Sequence, residues 1–296
     1  MTQSEAAADR GSVGHITPET VKGALEVARS GVVYDLGSGW WPGMPVHPIH
    51  PSFNVLTYRS PRGFLVQKDN ESLLGENNTV GYSFISELVL GTMHTGTHID
   101  ALCHVTCGGE WYGSHKLDDE LGDFGTLSLD AAALPPIVSR GVLLDVPRHL
   151  GVPHCERSFR IDDKVLAATA DAQGTELRNG DAVLVRCGQM AYWPDPVAMD
   201  VAEGSGVSLD GARWIAERNP VVVGGDNVQL ECTPTGVPGN PQPVHHLLIQ
   251  QRGIPILEWV NLEGLARDRV YEFVFVCLPL PITGATGSMI RPIAIA

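Results

Sequence analysis

Three histidines and an aspartate crowd the segment "GTMHTGTHIDALCH", Gly91 to His104, at positions 94, 98, 100 and 104. Imidazoles and carboxylates are ordinary ligands of a divalent cation, and a histidine beside one is an ordinary proton carrier at neutral pH. All four lie at even offsets, which on a plain strand puts every side chain on one face. A plain strand does not bring them to one ion, because residues four apart are separated by roughly 13 Å. A continuous helix unites His94 with His98 but swings Asp100 about 200° away from His98. Gly96 offers the way out: it tolerates backbone angles closed to other residues and can bend the chain so that ligands on either side converge. The segment reads as a strand end, a tight bend and a ligand-bearing exit.

Glu258 is the second informative position. In "IPILEWV" the residues Ile254, Ile256, Glu258 and Val260 share one strand face, so a carboxylate sits in an apolar row. Burying it is costly unless it is paired or bound to a cation. His245 and His246 lie thirteen and twelve residues upstream, on a short helix ended by Gly253. Asp226 and Glu231, in "GGDNVQLE", read first as turn caps or solvated charges, with a supporting role at the site as the alternative. Cys103 and Cys107 flank His104, but a CxxxC pair without a second pair is a weak zinc signal, and a free cysteine usually behaves as a small buried hydrophobe. Trp40, Trp41, Phe53, Trp111 and Tyr112 are candidate walls for a ring-bearing substrate, with core packing as the equal alternative.

Elements that position these residues can be read from caps and periodicity. Thr17, Pro18 and an apolar spacing up to Gly31 predict a first helix, followed by the strand "VVYDL". The segment "GSGWWPGMPVHPIHPSF" is a Pro- and Gly-rich loop of unusual apolar content. "RGVLLDV", "GDAVLVRCG", "PVVVGGD", "IPILEWV" and "VYEFVFVCL" read as strands, and "TGATGS" as a turn. Helices are expected after the cap Asp162 up to Gly174, over "SLDGARWIAERN", and over "PQPVHHLLIQQRG". Strands alternate with helices without a linker or internal repeat. The expectation is a single α/β domain over residues 31–296 behind an N-terminal extension, 1–30, that carries a helix.

The chain has 296 residues, 43% hydrophobic and 18% charged, with a formal charge of −14 and no long basic run. That balance argues against nucleic acid or an anionic membrane as partner. The opening "MTQSEAAADRGSVGH" lacks the apolar segment of a secretory signal, and "VYEFVFVCLPLPI" is too short and too broken by proline to span a bilayer. Six scattered cysteines without a CxxC pair suit a reducing compartment, so a cytoplasmic location is expected.

The sequence resembles the metal-dependent cyclase-like hydrolases that include bacterial kynurenine formamidase and isatin hydrolase, whose signature is HxGTHxDxPxH. His94, Gly96, Thr97, His98, Asp100 and His104 match it, while Leu102 stands where the family has proline. "GGDNVQLE", "PVHHLLIQQRGIPILEWVNLEGLA" and the C-terminal block from "VYEFVFVCLPLPITGATGS" look like the later blocks of the family's longer branch. Leu102 argues against the formamidase branch in particular. The resemblance implies a swivelling β/β/α fold, a mixed sheet with flanking helices, and a metal site of His94, His98 and Asp100. His245 and Glu258 would complete that site or hold a second ion, and His104 would act as catalytic acid/base. His245 is preferred to His246 because the family's histidine follows a "PV" pair. It further implies zinc or manganese, one or two ions per chain, and a homodimer or homotetramer. The expected reaction is opening of a small cyclic amide or ester, or cleavage of an aryl formamide, by a metal-activated water. Two rivals belong to other classes. One is a non-haem iron oxygenase built on two histidines and a carboxylate, to which His94 and His104 would be surplus; the other is a non-catalytic metal-binding protein.

Overall fold

The computed structural model describes residues 10–68, 78–199 and 204–296; positions 1–9 of the expected N-terminal extension lie outside the described residues. A nine-stranded mixed sheet runs through the molecule. Its strands in chain order are β1 (Val33–Asp35), β2 (His98–Asp100), β3 (Ile137–Asp145), β4 (Ala182–Arg186), β5 (Val222–Gly225), β6 (Ile256–Glu258), β7 (Glu272–Cys277), β8 (Gly287–Met289) and β9 (Ile293–Ile295). Their order across the sheet is β1-β9-β7-β3-β4-β5-β6-β2-β8. The four central strands β3, β4, β5 and β6 are parallel, and every flanking pair is antiparallel.

Parallel neighbours need long crossovers, and the chain supplies helices for them. Helix α2 (Asp163–Gln173) links β3 to β4, α3 (Leu209–Ala216) links β4 to β5, and α4 (Pro243–His245), continuing as a π-helical turn over His246–Gln251, links β5 to β6. Their starts are chemically marked. Asp162 accepts from the Val165 N–H, Ser208 from the Gly211 N–H, and Pro243 opens α4 without an N–H to satisfy. The first helix, α1 (Pro18–Leu25), carries the expected cap Thr17, reinforced by Thr20, but stops six residues before Gly31. Strands β4, β5 and β6 are buried along their whole length, as expected for parallel strands covered on both faces. Among the described residues no helix is long and apolar enough to cross a membrane.

Two local expectations are corrected. "IPILEWV" forms only a three-residue strand, because Trp259 turns into the left-handed region at φ 55° immediately after Glu258. "TGATGS" is not wholly a turn: Gly287 and Ser288 belong to β8, which pairs with β2 and turns the metal-motif strand into an interior one. That placement buries His98, Ile99 and Asp100 completely.

Candidate metal centre

The site forms where β6, β2 and β8 lie side by side. In the antiparallel register of β6 and β2, Glu258 stands directly opposite His98, and on the other side Gly287 stands opposite Asp100. Opposed residues have side chains only about 5 Å apart, so strand pairing alone brings a distant glutamate to the histidine. Gly287 matters for a second reason: a Cβ there would come within 2.8 Å of the His94 ring.

Gly96 bends the motif as expected, at φ 59°. The bend is latched from outside. Trp40 Nε1 donates to the Thr95 carbonyl at 2.7 Å, the Thr97 N–H donates to Ser38 Oγ and the Ser38 N–H returns to Thr97 Oγ1, each at 2.8 Å. Thr97 Oγ1 donates in turn to the Trp259 carbonyl at 2.6 Å.

Three imidazoles reach the centre, each anchored by its outer nitrogen. His98 Nδ1 donates to the Gly96 carbonyl at 2.8 Å. His245 Nδ1 lies 2.6 Å from Glu231 Oε1, and His94 Nε2 lies 2.9 Å from Thr286 Oγ1. Their inner nitrogens face carboxylates. His94 Nδ1 is 2.8 Å from Asp100 Oδ1, and His98 Nε2 is 3.5 Å from that oxygen and 3.3 Å from Glu258 Oε2. His245 Nε2 is 3.1 Å from Glu258 Oε1 and 3.7 Å from Asp100 Oδ2. Ligand atoms sharing one ion at about 2.1 Å are themselves spaced about 3.0–3.4 Å, so these separations match the edges of a coordination shell. His94, Asp100 and His104 converge as one group of potential ligands, and Asp100, His245 and Glu258 as another, with Asp100 common to both.

A single atom tests whether a cation fits. Asp100 Oδ2 is buried and has no hydrogen-bond partner. A carboxylate oxygen left alone in the interior is costly, and a cation is the natural partner for it. The protonation pattern agrees. Burial works against the charged forms of Asp100 and Glu258. His104, His94 and His98 outweigh it at Asp100, and hydrogen bonds from His245 and His98 outweigh it at Glu258, so both carboxyls sit below their ordinary range. Burial likewise opposes the His98 and His245 cations. Glu258 holds His98 above its usual value, and Glu231 with Glu258 holds His245 well above. The carboxylates are thus favoured in their charged forms, the forms that bind a cation.

His104 differs from the others. It stacks on His94 with ring centroids 4.0 Å apart, its Nε2 is 4.0 Å from Asp100 Oδ1, and its side chain is 30% exposed. Burial pushes its pKa down to about 4 against the pull of Asp100. It faces a cavity of about 200 Å³ whose walls include His94, His98, His245 and Glu258 together with His47, His50, Gln229, Gln242 and Trp259.

The five aromatic candidates divide differently. None of them lines that cavity. Trp40 latches the bend, and Phe53 is buried beneath Gly91, where an added Cβ would meet its ring at 3.0 Å. Trp41 packs edge-on against Trp193, and Trp193 against Trp259, so Trp41 reaches the cavity wall through two other rings. Trp111 belongs to the main core and stacks on His115, while Tyr112 packs over Gly253. His245 rather than His246 points into the centre; His246 engages Asn240 and Gln251. Neither converging group contains a cysteine, and burial raises the Cys103 thiol to about 11.

Thr286, Trp259 and His50 escaped the sequence reading as parts of the site, and Glu231 entered it only as the alternative to a turn cap or solvated charge. Glu231 is 1% exposed and also accepts from the Val244 and His245 N–H groups. Its signal was an acid embedded in "VQLEC", the same kind that marked Glu258. Asp226 lies elsewhere and is not solvated: it is fully buried and accepts from the Cys187 and Gly188 N–H groups at 2.7 Å each.

Comparison with known proteins agrees with this architecture. Residues 34–232 match the Cyclase family, described as "Putative cyclase". Cyclase-like protein 3 of Oryza sativa subsp. japonica is 29% identical over 71% of this chain, and the chain spans 65% of that relative's length. A crystal structure of a novel cyclase superposes with a TM-score of 0.84 at 26% identity, covering 97% of this chain and 96% of the other. Isatin hydrolase A from Labrenzia aggregata, bound to benzyl benzoate, shares the fold with a TM-score of 0.64 at 20% identity, over 89% of this chain and 93% of the other. Family match, fold and motif agree: the chain belongs to the Cyclase family.

Proposed function

We propose that this protein is a metal-dependent hydrolase that opens a small cyclic amide or ester, or cleaves an aryl formamide. The observation that carries the reading is the convergence of His94, His98, Asp100, His245 and Glu258 on one buried locus where Asp100 Oδ2 has no hydrogen-bond partner. These five would hold a divalent cation, zinc or manganese, one or two per chain. Such a cation supplies polarisation of a carbonyl oxygen and a water of pKa about 7. His104 stands beside the ligands but keeps an edge open to the cavity, so it takes the proton of the attacking water and returns it to the departing nitrogen or oxygen. Glu231 keeps the His245 Nδ1 proton pointing outward and its Nε2 lone pair pointing in.

The cavity bounds the substrate. At about 200 Å³ it falls below the roughly 300–1,000 Å³ of pockets for drug-sized ligands. Trp259 and the imidazoles of His47 and His50 give it flat walls suited to a ring, and among the described residues no lysine or arginine lines it. A small neutral ring-bearing amide or ester suits that lining better than an anion. The likeness in fold to an isatin hydrolase supports the same reading.

The test is a panel of lactams, lactones and aryl formamides offered to zinc- or manganese-loaded protein with and without oxygen, in ¹⁸O-labelled water. Anaerobic turnover with solvent label in the carboxylate product is expected. Turnover that requires O₂ and leaves the product unlabelled would assign an oxygenase instead. Absence of turnover across the panel, with metal bound, would leave a metal-binding protein.

A further inference from the structure

Arg29, Arg178 and Arg269 come from three separate parts of the chain and line one open cavity of about 660 Å³. All three are exposed, and among the described residues none of their guanidinium groups makes a hydrogen bond or an ion pair. The acids that could neutralise them are engaged elsewhere. Buried Arg140 takes both oxygens of Asp181, at 3.0 and 2.7 Å, and Glu272 at 2.9 Å. Glu26, exposed on the same cavity, is the one carboxylate side chain there without a partner among the described residues. Three uncompensated cations on one cavity stand out in a chain of formal charge −14, because like charges repel and each gains by meeting an anion. Their backbones are held while their guanidinium forks are free. The Arg178 N–H donates to Asp181 Oδ2 at 2.6 Å, the Arg269 N–H to the Ala266 carbonyl at 3.3 Å, and the Ser30 N–H, next to Arg29, to the Ala296 main-chain oxygen at 2.9 Å.

We propose that this cavity binds a small organic phosphate. A guanidinium presents a planar fork that matches two oxygens of a phosphate, and several forks suit a dianion better than a single carboxylate. Half-buried Val27, Val270 and Tyr271 add apolar wall for the carbon body of such a molecule. The volume falls within the roughly 300–1,000 Å³ of small-molecule sites, unlike the tighter cavity at the metal centre. A nucleic acid is excluded as the source of the phosphate, since the acidic surface around the cavity would repel the rest of the strand. The two cavities share no residue. Glu272 opens β7, and β3, β4 and β5 stand between β7 and β6, so the site lies roughly 19 Å across the sheet from the metal centre.

Isothermal titration calorimetry with phenyl phosphate tests the proposal, run at low salt and about pH 8, where a phosphate monoester is a dianion. Benzoate keeps the ring with one charge, and inorganic phosphate keeps the charge without the ring. Phenyl phosphate is expected to bind once per chain with a Kd below about 1 mM, and about 10-fold or more tighter than either control. Arg29→Gln with Arg178→Gln should weaken it by about 10-fold or more, and Arg269→Gln alone by about 3-fold or more, with far-UV circular dichroism unchanged. Arg213→Gln, an exposed arginine already paired with Asp210, should bind as wild type does. Metal-loaded and chelated protein should bind alike, which separates this cavity from a phosphate on the metal. Absence of saturable heat up to about 10 mM phenyl phosphate overturns the proposal. So does binding that is equally tight for benzoate or inorganic phosphate, indifferent to the arginine substitutions, or lost with the metal.

Discussion

Replacing Glu231 by glutamine separates a positioning role from mere burial. Glu231 Oε1 lies 2.6 Å from His245 Nδ1 and 3.3 Å from the His245 N–H, and Oε2 lies 3.3 Å from the Val244 N–H. All three partners are donors, and a carboxylate accepts from all of them. Glutamine has one carbonyl oxygen. If that oxygen stays on His245, its NH₂ faces the Val244 N–H. If the amide flips, His245 must move its proton to Nε2, the atom 3.1 Å from Glu258 that would face the cation. Either arrangement weakens the outer bond that orients the ligand, a contact typically worth 10- to 100-fold in metal affinity, or about 1.4–2.7 kcal/mol. Competition with a chelating dye at fixed pH measures the ratio of dissociation constants for Glu231→Gln and wild type. Asp226→Asn is the control, since it disturbs a buried carboxylate bound to Cys187 and Gly188 rather than to a ligand. It should lower the melting temperature and leave metal affinity unchanged. A Glu231→Gln protein that binds metal within threefold of wild type, while His245→Ala loses more than 100-fold, would refute the reasoning.

His104→Ala should retain its metal while kcat falls by roughly 100-fold or more, the scale of a lost general acid/base; metal loss in parallel with activity by elemental analysis would make His104 a ligand. The metal competes with the protons that the raised His98 and His245 hold, so apparent metal affinity should already fall as pH drops from above 6.5. In the metal-free protein those two groups contribute stability that is complete below about pH 6.5 and fades as pH rises through their raised values. The melting-temperature gap between loaded and chelated protein should therefore widen from pH 6 to pH 9, and a constant or narrowing gap would contradict the site. Gly96→Ala places a Cβ at φ 59° within 2.7 Å of Ser38 Oγ and 3.0 Å of Trp40 Nε1, and should cost about 1–3 kcal/mol in urea unfolding; a change under 0.5 kcal/mol would show that the bend is not constrained.

The motif, the bend and the acid in an apolar row, Glu258, were legible because they are local. Gly96 must bend where its neighbours carry side chains, and an acid in "IPILEWV" must be compensated wherever the strand lies. The alternation of strands and capped helices likewise predicted an α/β domain, while the parallel pairing at the centre of the sheet is decided by the tertiary structure. Sequence spacing carries no information on which strands become neighbours. The register that sets Glu258 opposite His98, and the seating of β8 against β2 that delivers Thr286 to His94, arise from long-range pairing of segments 160 and 189 residues apart. For the same reason Glu231 looked like a turn carboxylate until α4 placed the His245 ring against it. Aromatic rings were the least readable, because Trp40 and Trp111 are equally apolar in sequence and only packing decides that one latches the bend and the other fills the core. Side-chain chemistry named the ligands that a cation would need; the pairing of distant strands decided which of them meet.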